Sequence, residues 1–459
     1  MIPPRVSPRD QERPFRSDEL FFSTTDRKGV ILNGNDVFVR VSGHTLENLV
    51  GQPHNIIRHP DMPRAVFKLL WDYLNRDAPF AGYVKNMAAD GCYYWVMALV
   101  VPVREGFLSV RFKPASPFFD VVRKLYPQLL ATEHAAGQGN WRRGMQDATA
   151  QLVSALHGLG FKSYDHFMQA ALAAELAARK TEVPSLTLDV LQGGDTTAAT
   201  LDALSHSAHV IDGHLNTLFA SVDDFLSVIK TLDEKASFLL GLSANVHLVS
   251  LNALISSCRL ERGGEGLAVV SQNLATQSHD SMATIDQMTR QLLALTSALR
   301  DTAFSLSAAK LEVEMTSFFL HELRALVASD ATDACDAQGR IATLAESISR
   351  STARLAEALP RAQGALPALL RLQQELASDL RRLSCVHVLG KIHAAGIDDG
   401  GVFIELLERI FTQLSTASEE LQELLVGVAR IKDRLPRFAT AARVAQPPID
   451  RFCSLAATA

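Results

Sequence analysis

Residues 83–103, YVKNMAADGCYYWVMALVVPV, decide how the first quarter of the chain folds. Two runs of alternating aromatic and β-branched residues, 83–87 and 93–103, flank Asp90-Gly91. Asp-Gly between alternating runs marks a hairpin, because both residues tolerate the positive φ that a tight turn needs. A third run, 107–112 (FLSVRF), follows Glu105-Gly106, and two earlier runs lie at 21–25 and 30–33. Between the second and third runs come Pro53, Pro60 and Pro63, then a helical stretch over 64–75. Two strands, short helices and three antiparallel strands predict a compact α+β domain over 18–115. The Pro/Arg-rich segment 1–17 is expected to be disordered.

After residue 115 the chain turns Leu/Ala-rich, with almost no strand signal. Short amphipathic helices are expected at 117–130, 142–158 and 164–179, forming a connecting region over 116–180. A linker follows over 181–198, carrying Pro184 and Gly193-Gly194. Leu201, Leu204, Ala208, Ile211, Leu215, Leu218, Val222, Phe225, Ile229, Leu232, Ala236 and Leu239 then recur at spacings of three and four. That spacing is a heptad stripe, read equally as a coiled coil or a helical-bundle core. Gly263-Gly264 and Gly266 interrupt it, so 199–320 reads as an antiparallel helical hairpin. Gly400-Gly401 marks a second turn inside a second hairpin over 321–440, and 441–459 reads as a C-terminal tail. Ile255-SSCRLERGG and Ile392-HAAGIDDGG align without a gap, which suggests an internal repeat of the hairpin. The fold class is therefore multidomain: an α+β domain followed by an all-α coiled-coil or bundle region. Burial of the stripe requires either a second protomer or the helices after residue 340, where Leu344, Ile348, Leu355 and Leu359 offer a matching face. A homodimer is the expectation.

The formal net charge is −5, with 21% charged and 47% hydrophobic residues, which gives no electrostatic reason to expect nucleic acid as a partner. No window approaches the ~18 apolar residues that a membrane-spanning helix needs, and the start has no apolar stretch of the signal-peptide kind. A cytosolic location is expected. Five dispersed cysteines without metal spacing read as reduced thiols. No P-loop, GxSxG, HExxH or kinase-type motif is present, so no catalytic or metal-ligating residues are assigned and no enzyme is expected.

The segment 51–74, GQPHNIIRHPDMPRAVFKLLWDYL, with GYVKN at 82–86 and DGCYYWV at 90–96, resembles the PAS domain of bacterial aerotaxis transducers. Asn35-Asp36-Val37-Phe38 and Val41-Ser42-Gly43-His44 extend the likeness over 18–113. The resemblance implies a sensor that holds FAD non-covalently and reports redox state. It places Asn35, Arg58, His59, Asp61, Trp71 and Asn86 at the flavin pocket. Trp71 would stack on the isoalloxazine plane, Arg58 would pair with the pyrophosphate, and Asn35 or Asn86 would bond ring heteroatoms. The bland alternatives are an Arg58–Asp61 ion pair capping the 64–75 helix and Trp71 as a core anchor. A haem bound through His59 is a further alternative.

Leu251-Asn252-Ala253-Leu254-Ile255 through Arg259, then Gly264, Gly266 and Ala268-Val269-Val270, looks like the hairpin tip of methyl-accepting chemotaxis receptors. That resemblance implies a signalling tip at Arg259, Gly264 and Gly266, with a histidine kinase or its coupling protein as partner. Two functions compete. One is a redox or oxygen sensor whose FAD-bound state is transmitted along the helices. The other is a cofactor-free or haem-binding PAS scaffold for dimerisation and protein–protein interaction.

Overall fold

The structure is a computed structural model of the chain and describes residues 6–136, 140–182, 196–257, 264–328, 337–395 and 401–458. β1 (Phe21–Asp26) and β2 (Ile31–Gly34) lead into α1 (Asp36–Ser42), α2 (Leu46–Leu49), a 3-10 turn (His54–Ile57) and α3 (Arg64–Leu74). β3 (Phe80–Met87), β4 (Tyr93–Val103) and β5 (Gly106–Phe112) follow. The five strands form one antiparallel sheet in the order β2-β1-β5-β4-β3, which puts the last strand in the centre. Asp90-Gly91 makes the expected turn, with Gly91 at φ 88° and the Ala88 N–H donating to Cys92 O at 2.8 Å. Gly106 opens β5 where it meets β1, and a Cβ there would lie 1.8 Å from Thr25 O. Only glycine admits that approach.

The expectation of disorder over 1–17 fails for residues 6–17, while 1–5 lie outside the described residues. Arg9 N and Arg13 N donate to Gly91 O (2.8 Å) and Tyr93 O (2.7 Å), and Tyr93 N donates to Gln11 O (2.9 Å). Phe15 is buried edge-on against Phe21 and Tyr94. Backbone pairing and one buried ring hold a segment whose composition alone argues for disorder.

The side chains on the two faces of the sheet alternate along each strand. α4 (Pro117–Ala135), α5 (Trp141–Gly158) and α6 (Tyr164–Glu182) follow β5. α4 and α6 cover the outer face: Tyr126 OH donates to Tyr83 O (2.9 Å), Tyr164 OH to Ala81 O (3.1 Å), and Trp95 packs edge-on against Phe119. Two buried carboxylates tie these helices to the domain. Glu133 accepts from Arg64 N (2.9 Å) and Ala65 N (2.8 Å), so it caps the start of α3. Glu175 accepts from Ala115 N, Ser116 N, Ser116 Oγ and Tyr83 OH at 2.6–2.9 Å. Acceptors at a helix N-terminus satisfy orphan N–H groups and complement the dipole.

The remaining helices are α7 (Thr196–Phe219), α8 (Val222–Ser257), α9 (Gly264–Ala328), α10 (Ala337–Ala394) and α11 (Gly401–Thr458). The chain divides into two compact units. The first comprises Met1–Val222, Ala303–Leu355 and Ala441–Ala459. In it, Leu204, Ala208, Ile211, Leu215 and Leu218 of the stripe are buried. Arg324–Asp202 (2.5 Å) and Lys310–Asp212 (3.5 Å) set α7 and α9 antiparallel. Glu312 bonds Ser351 (3.0 Å), and Cys453 reaches Ala345 O (3.5 Å). Residues 441–458, expected as a tail, are helix, with Ile449, Phe452 and Ala456 at most 1% exposed. Burial of these side chains overrides the helix-breaking pair Pro447-Pro448.

The second unit comprises Asp223–Thr302 and Ala356–Thr440. Phe225 packs on Phe438 (5.1 Å), and Leu232 lies buried beside Gly427. Lys235 pairs with Glu420 and Glu423, Arg300 with Asp233, and Arg361 with Asp301 at 3.1 Å. In both units the stripe is therefore buried within one chain. α8 ends at Ser257 and α10 at Ala394; α9 begins at Gly264 and α11 at Gly401. One interval separates both pairs, and it is the interval at which the two glycine turns align in sequence. Of the tip residues, Arg259 lies outside the described residues. Gly264 opens α9, and Gly266 faces the His393 ring, 3.6 Å from where a Cβ would stand. No described helix is long and apolar enough to cross a membrane.

Candidate functional site

A cavity of about 250 Å³ opens on the inner face of the sheet, under α3 and the 3-10 turn. The pleat dictates its wall. β5 contributes Phe107, Ser109 and Arg111, β4 Ala98 and Val100, β3 Val84 and Asn86, and β1 Thr25. α3 contributes Phe67, Leu70, Trp71 and Leu74 from its apolar face. Trp71 meets Phe107 edge-on at 5.9 Å, and the Arg58 guanidinium lies 4.4 Å over the Phe67 ring while donating to Met62 O (2.7 Å). Exposed Lys28 and Asn55 stand at the rim.

Two wall atoms have no hydrogen-bond partner among the described residues: Asn86 Nδ2 and Ser109 Oγ, both on buried side chains. A buried polar atom left unpaired costs about 1–3 kcal/mol, so such a pair facing one cavity suits a polar ligand. Arg111 supplies a buried charge. Its Nη2 donates to Ser23 Oγ (3.0 Å) and to His54 Nε2 (2.6 Å), which makes Nε2 the unprotonated nitrogen of that ring. Burial pulls the Arg111 guanidinium down to about 10. Burial, then the Arg111 charge, holds His54 well below the usual histidine range.

That last shift has a measurable consequence. His54 is neutral in the fold and takes up a proton on unfolding below about pH 6.5, so its contribution to stability is present above that pH and lost as pH falls further. The loss approaches ~1.4 kcal/mol per pH unit. Denaturant unfolding at pH 7.5 and 5.5 is expected to show a smaller drop for His54→Gln than for the parent. Equal drops would mean that His54 does not carry the proton.

Arg58, Trp71 and Asn86 of the sequence-derived set line the cavity; Asn35, His59 and Asp61 do not. Asn35 is turned to the outer side of β1, where its Oδ1 accepts from Phe22 N (3.0 Å) and its Nδ2 donates to Leu20 O (3.2 Å) and Glu322. His59 is buried edge-on against Tyr93, and its Nδ1 accepts from Asp61 N (3.1 Å). Asp61 pairs with Lys85 (2.7 Å), not with Arg58, and the start of α3 is capped by Glu133. Ser109 and Arg111 escaped the sequence reading. Their signal was the alternation in β5, which sets a serine and an arginine on one face of an otherwise apolar strand. No group of three or more His, Cys, Asp or Glu with metal-ligand geometry forms among the described residues.

Residues 31–107 match the family model for the PAS fold. The N-terminal domain is a PAS domain. Over 126 residues the chain is 44% identical to the "Aerotaxis receptor" of Escherichia coli (strain K12), covering 26% of this chain and 25% of that protein. It is 31% identical over 81 residues to the "Nitrogen fixation regulatory protein" of Klebsiella pneumoniae, covering 18% of this chain and 16% of that protein. The chain thus spans a quarter or less of the length of these curated relatives. Among solved structures, the PAS domain of a protein from Colwellia psychrerythraea matches 20% of this chain and 85% of its own, at 20% identity and a TM-score of 0.20.

Proposed function

We propose that the PAS domain holds FAD in this cavity and that the chain is a redox sensor, passing the cofactor's state to the helices that follow. The observation that carries the reading is the pair of unpartnered wall atoms, Asn86 Nδ2 and Ser109 Oγ, under an aromatic rim of Trp71 and Phe107. The cavity lies just below the ~300–1,000 Å³ typical of ligand pockets, room for a fused-ring head and not for a whole dinucleotide. Asn86 and Ser109 would take the ring heteroatoms, while Arg58 and Lys28 stand where phosphates would leave the pocket. When bound, flavin supplies reversible reduction; the protein's own part is to orient the ring, exclude water and present a buried guanidinium, Arg111, on the same wall. The resemblance to an aerotaxis receptor supports the same reading. A kinase or coupling protein as the helical region's partner, a homodimer and a cytosolic location belong to this proposal too. The haem alternative through His59 has less support, because that ring lies away from the cavity.

An absorption spectrum of the purified chain tests this. Oxidised-flavin bands are expected, and Asn86→Leu, which fills the wall and removes the orphan donor, should lower retention at least tenfold. Trp71→Ala should act likewise. A colourless protein that also takes up no added FAD overturns the reading, and a Soret band replaces it with haem.

A further inference from the structure

β1 has the cavity on one side and α9 on the other. On the inner side, Ser23 Oγ accepts from the buried Arg111 (3.0 Å), a residue of the cavity wall. One residue away on the outer side, Phe22 packs edge-on against Phe319 of α9 at 5.1 Å. Its backbone N–H donates to Asn35 Oδ1 (3.0 Å), and the Asn35 amide donates to both carboxylate oxygens of Glu322 on α9 (3.1 Å each). All of these residues belong to the first compact unit.

We propose that β1 is the coupling strand, relaying what occupies the cavity to α9 through Arg111, Ser23, Phe22, Asn35 and Glu322. Asn35 is the relay's outlet and not a cofactor ligand. The inference rests on the ligand-binding reading for its input, but the contacts themselves exist without it. A ligand acceptor that reaches Arg111 draws the guanidinium away from Ser23, because its five donors sit in one rigid planar fork and move together. Releasing Ser23 loosens β1 where it carries Phe22 and the bond to Asn35. The far end is poised to respond. Burial pushes the Glu322 carboxyl up to about 8 against the Asn35 bond, Asp36 pushes the same way, and Arg340 and Arg40 oppose. The Asn35–Glu322 contact, made or broken, is the two-state element that the cavity would bias.

Hydrogen exchange of the full chain, read on α9 peptides covering 316–326 and on control peptides covering 207–215, tests the relay. Arg111→Met is expected to speed exchange at 316–326 about tenfold while leaving the control unchanged, and to add nothing in an Asn35→Ala background. Ser23→Ala, which removes one hydroxyl and little packing, should give the same pattern more weakly and covers the case in which Arg111→Met fails to fold. Unchanged exchange at 316–326 in Ser23→Ala, or equal acceleration in both regions, overturns the relay. Added FAD separates this from the reading beneath it. FAD that binds, seen by absorption, without altering 316–326 also overturns the relay. If FAD does not bind at all, the flavin reading fails and Ser23→Ala alone decides the relay.

Discussion

Removing residues 441–459 is expected to abolish cooperative folding of the helices in the first unit. Ile449, Phe452 and Ala456 are buried along the last turns of α11, and Cys453 bonds Ala345 O across to α10. Loss of Ile449 and Phe452 alone forfeits ~3–6 kcal/mol of burial, before counting the stripe they uncover. Domains are stable by only ~5–15 kcal/mol, so that single loss is a large share of the total. The segment lies against α7 at Ser207, which donates to Pro448 O (3.5 Å), and against α10 at Ala345, so its loss uncovers apolar helix faces there and makes self-association of the truncated chain the expected fate. Circular dichroism melting and light scattering on a chain ending at Thr440 would check this. A true tail would leave both unchanged, and such a result would mean that α11 contributes nothing beyond Thr440. The point substitution Phe452→Ala should cost ~3–5 kcal/mol by the same mechanism.

Glu175→Ala is expected to cost about 3–5 kcal/mol, more than any exposed ion pair in the chain. Its carboxylate accepts four hydrogen bonds at 2.6–2.9 Å, from Ala115 N, Ser116 N, Ser116 Oγ and Tyr83 OH. Truncation leaves the buried Ser116 N–H and the part-buried Ala115 N–H at the start of α4 without their acceptor, and leaves the Tyr83 phenol only the longer contact to Ser116 Oγ (3.3 Å). Each bond to a charged group is worth ~1.5–3 kcal/mol, and the losses overlap because the donors share one site. By contrast Arg16–Asp18 and Arg371–Glu375 are exposed pairs whose attraction is largely screened by water. Glu175→Gln keeps one carbonyl acceptor and should recover part of the loss. Urea unfolding of the full chain, followed by tyrosine and tryptophan fluorescence, measures both variants. A Glu175→Ala midpoint within error of the parent would show that α6 is not fastened to the sheet through this carboxylate.

Features that rest on short-range physics are legible in the residues alone. Asp90-Gly91 between alternating runs is a hairpin in any context, and spacings of three and four put the stripe from Leu201 to Leu239 on one helix face. Arg58, Trp71 and Asn86 could be placed at a pocket because the local segments that carry them resemble those of a sensor domain. The rest depends on partners distant in the chain. β5 pairs with β1 and β4 at once, so Ser109 and Arg111, which local alternation sets only on a common face, become part of a cavity wall. Asn35 spends its amide on Phe22 and on Glu322, a residue hundreds of positions away, and so leaves the pocket. Residues 441–458 contain Pro447-Pro448 and read locally as an end; they are helix because Ile449 and Phe452 find a buried seat. Local propensity there is worth a few kcal/mol at most, and burial against distant helices outweighs it.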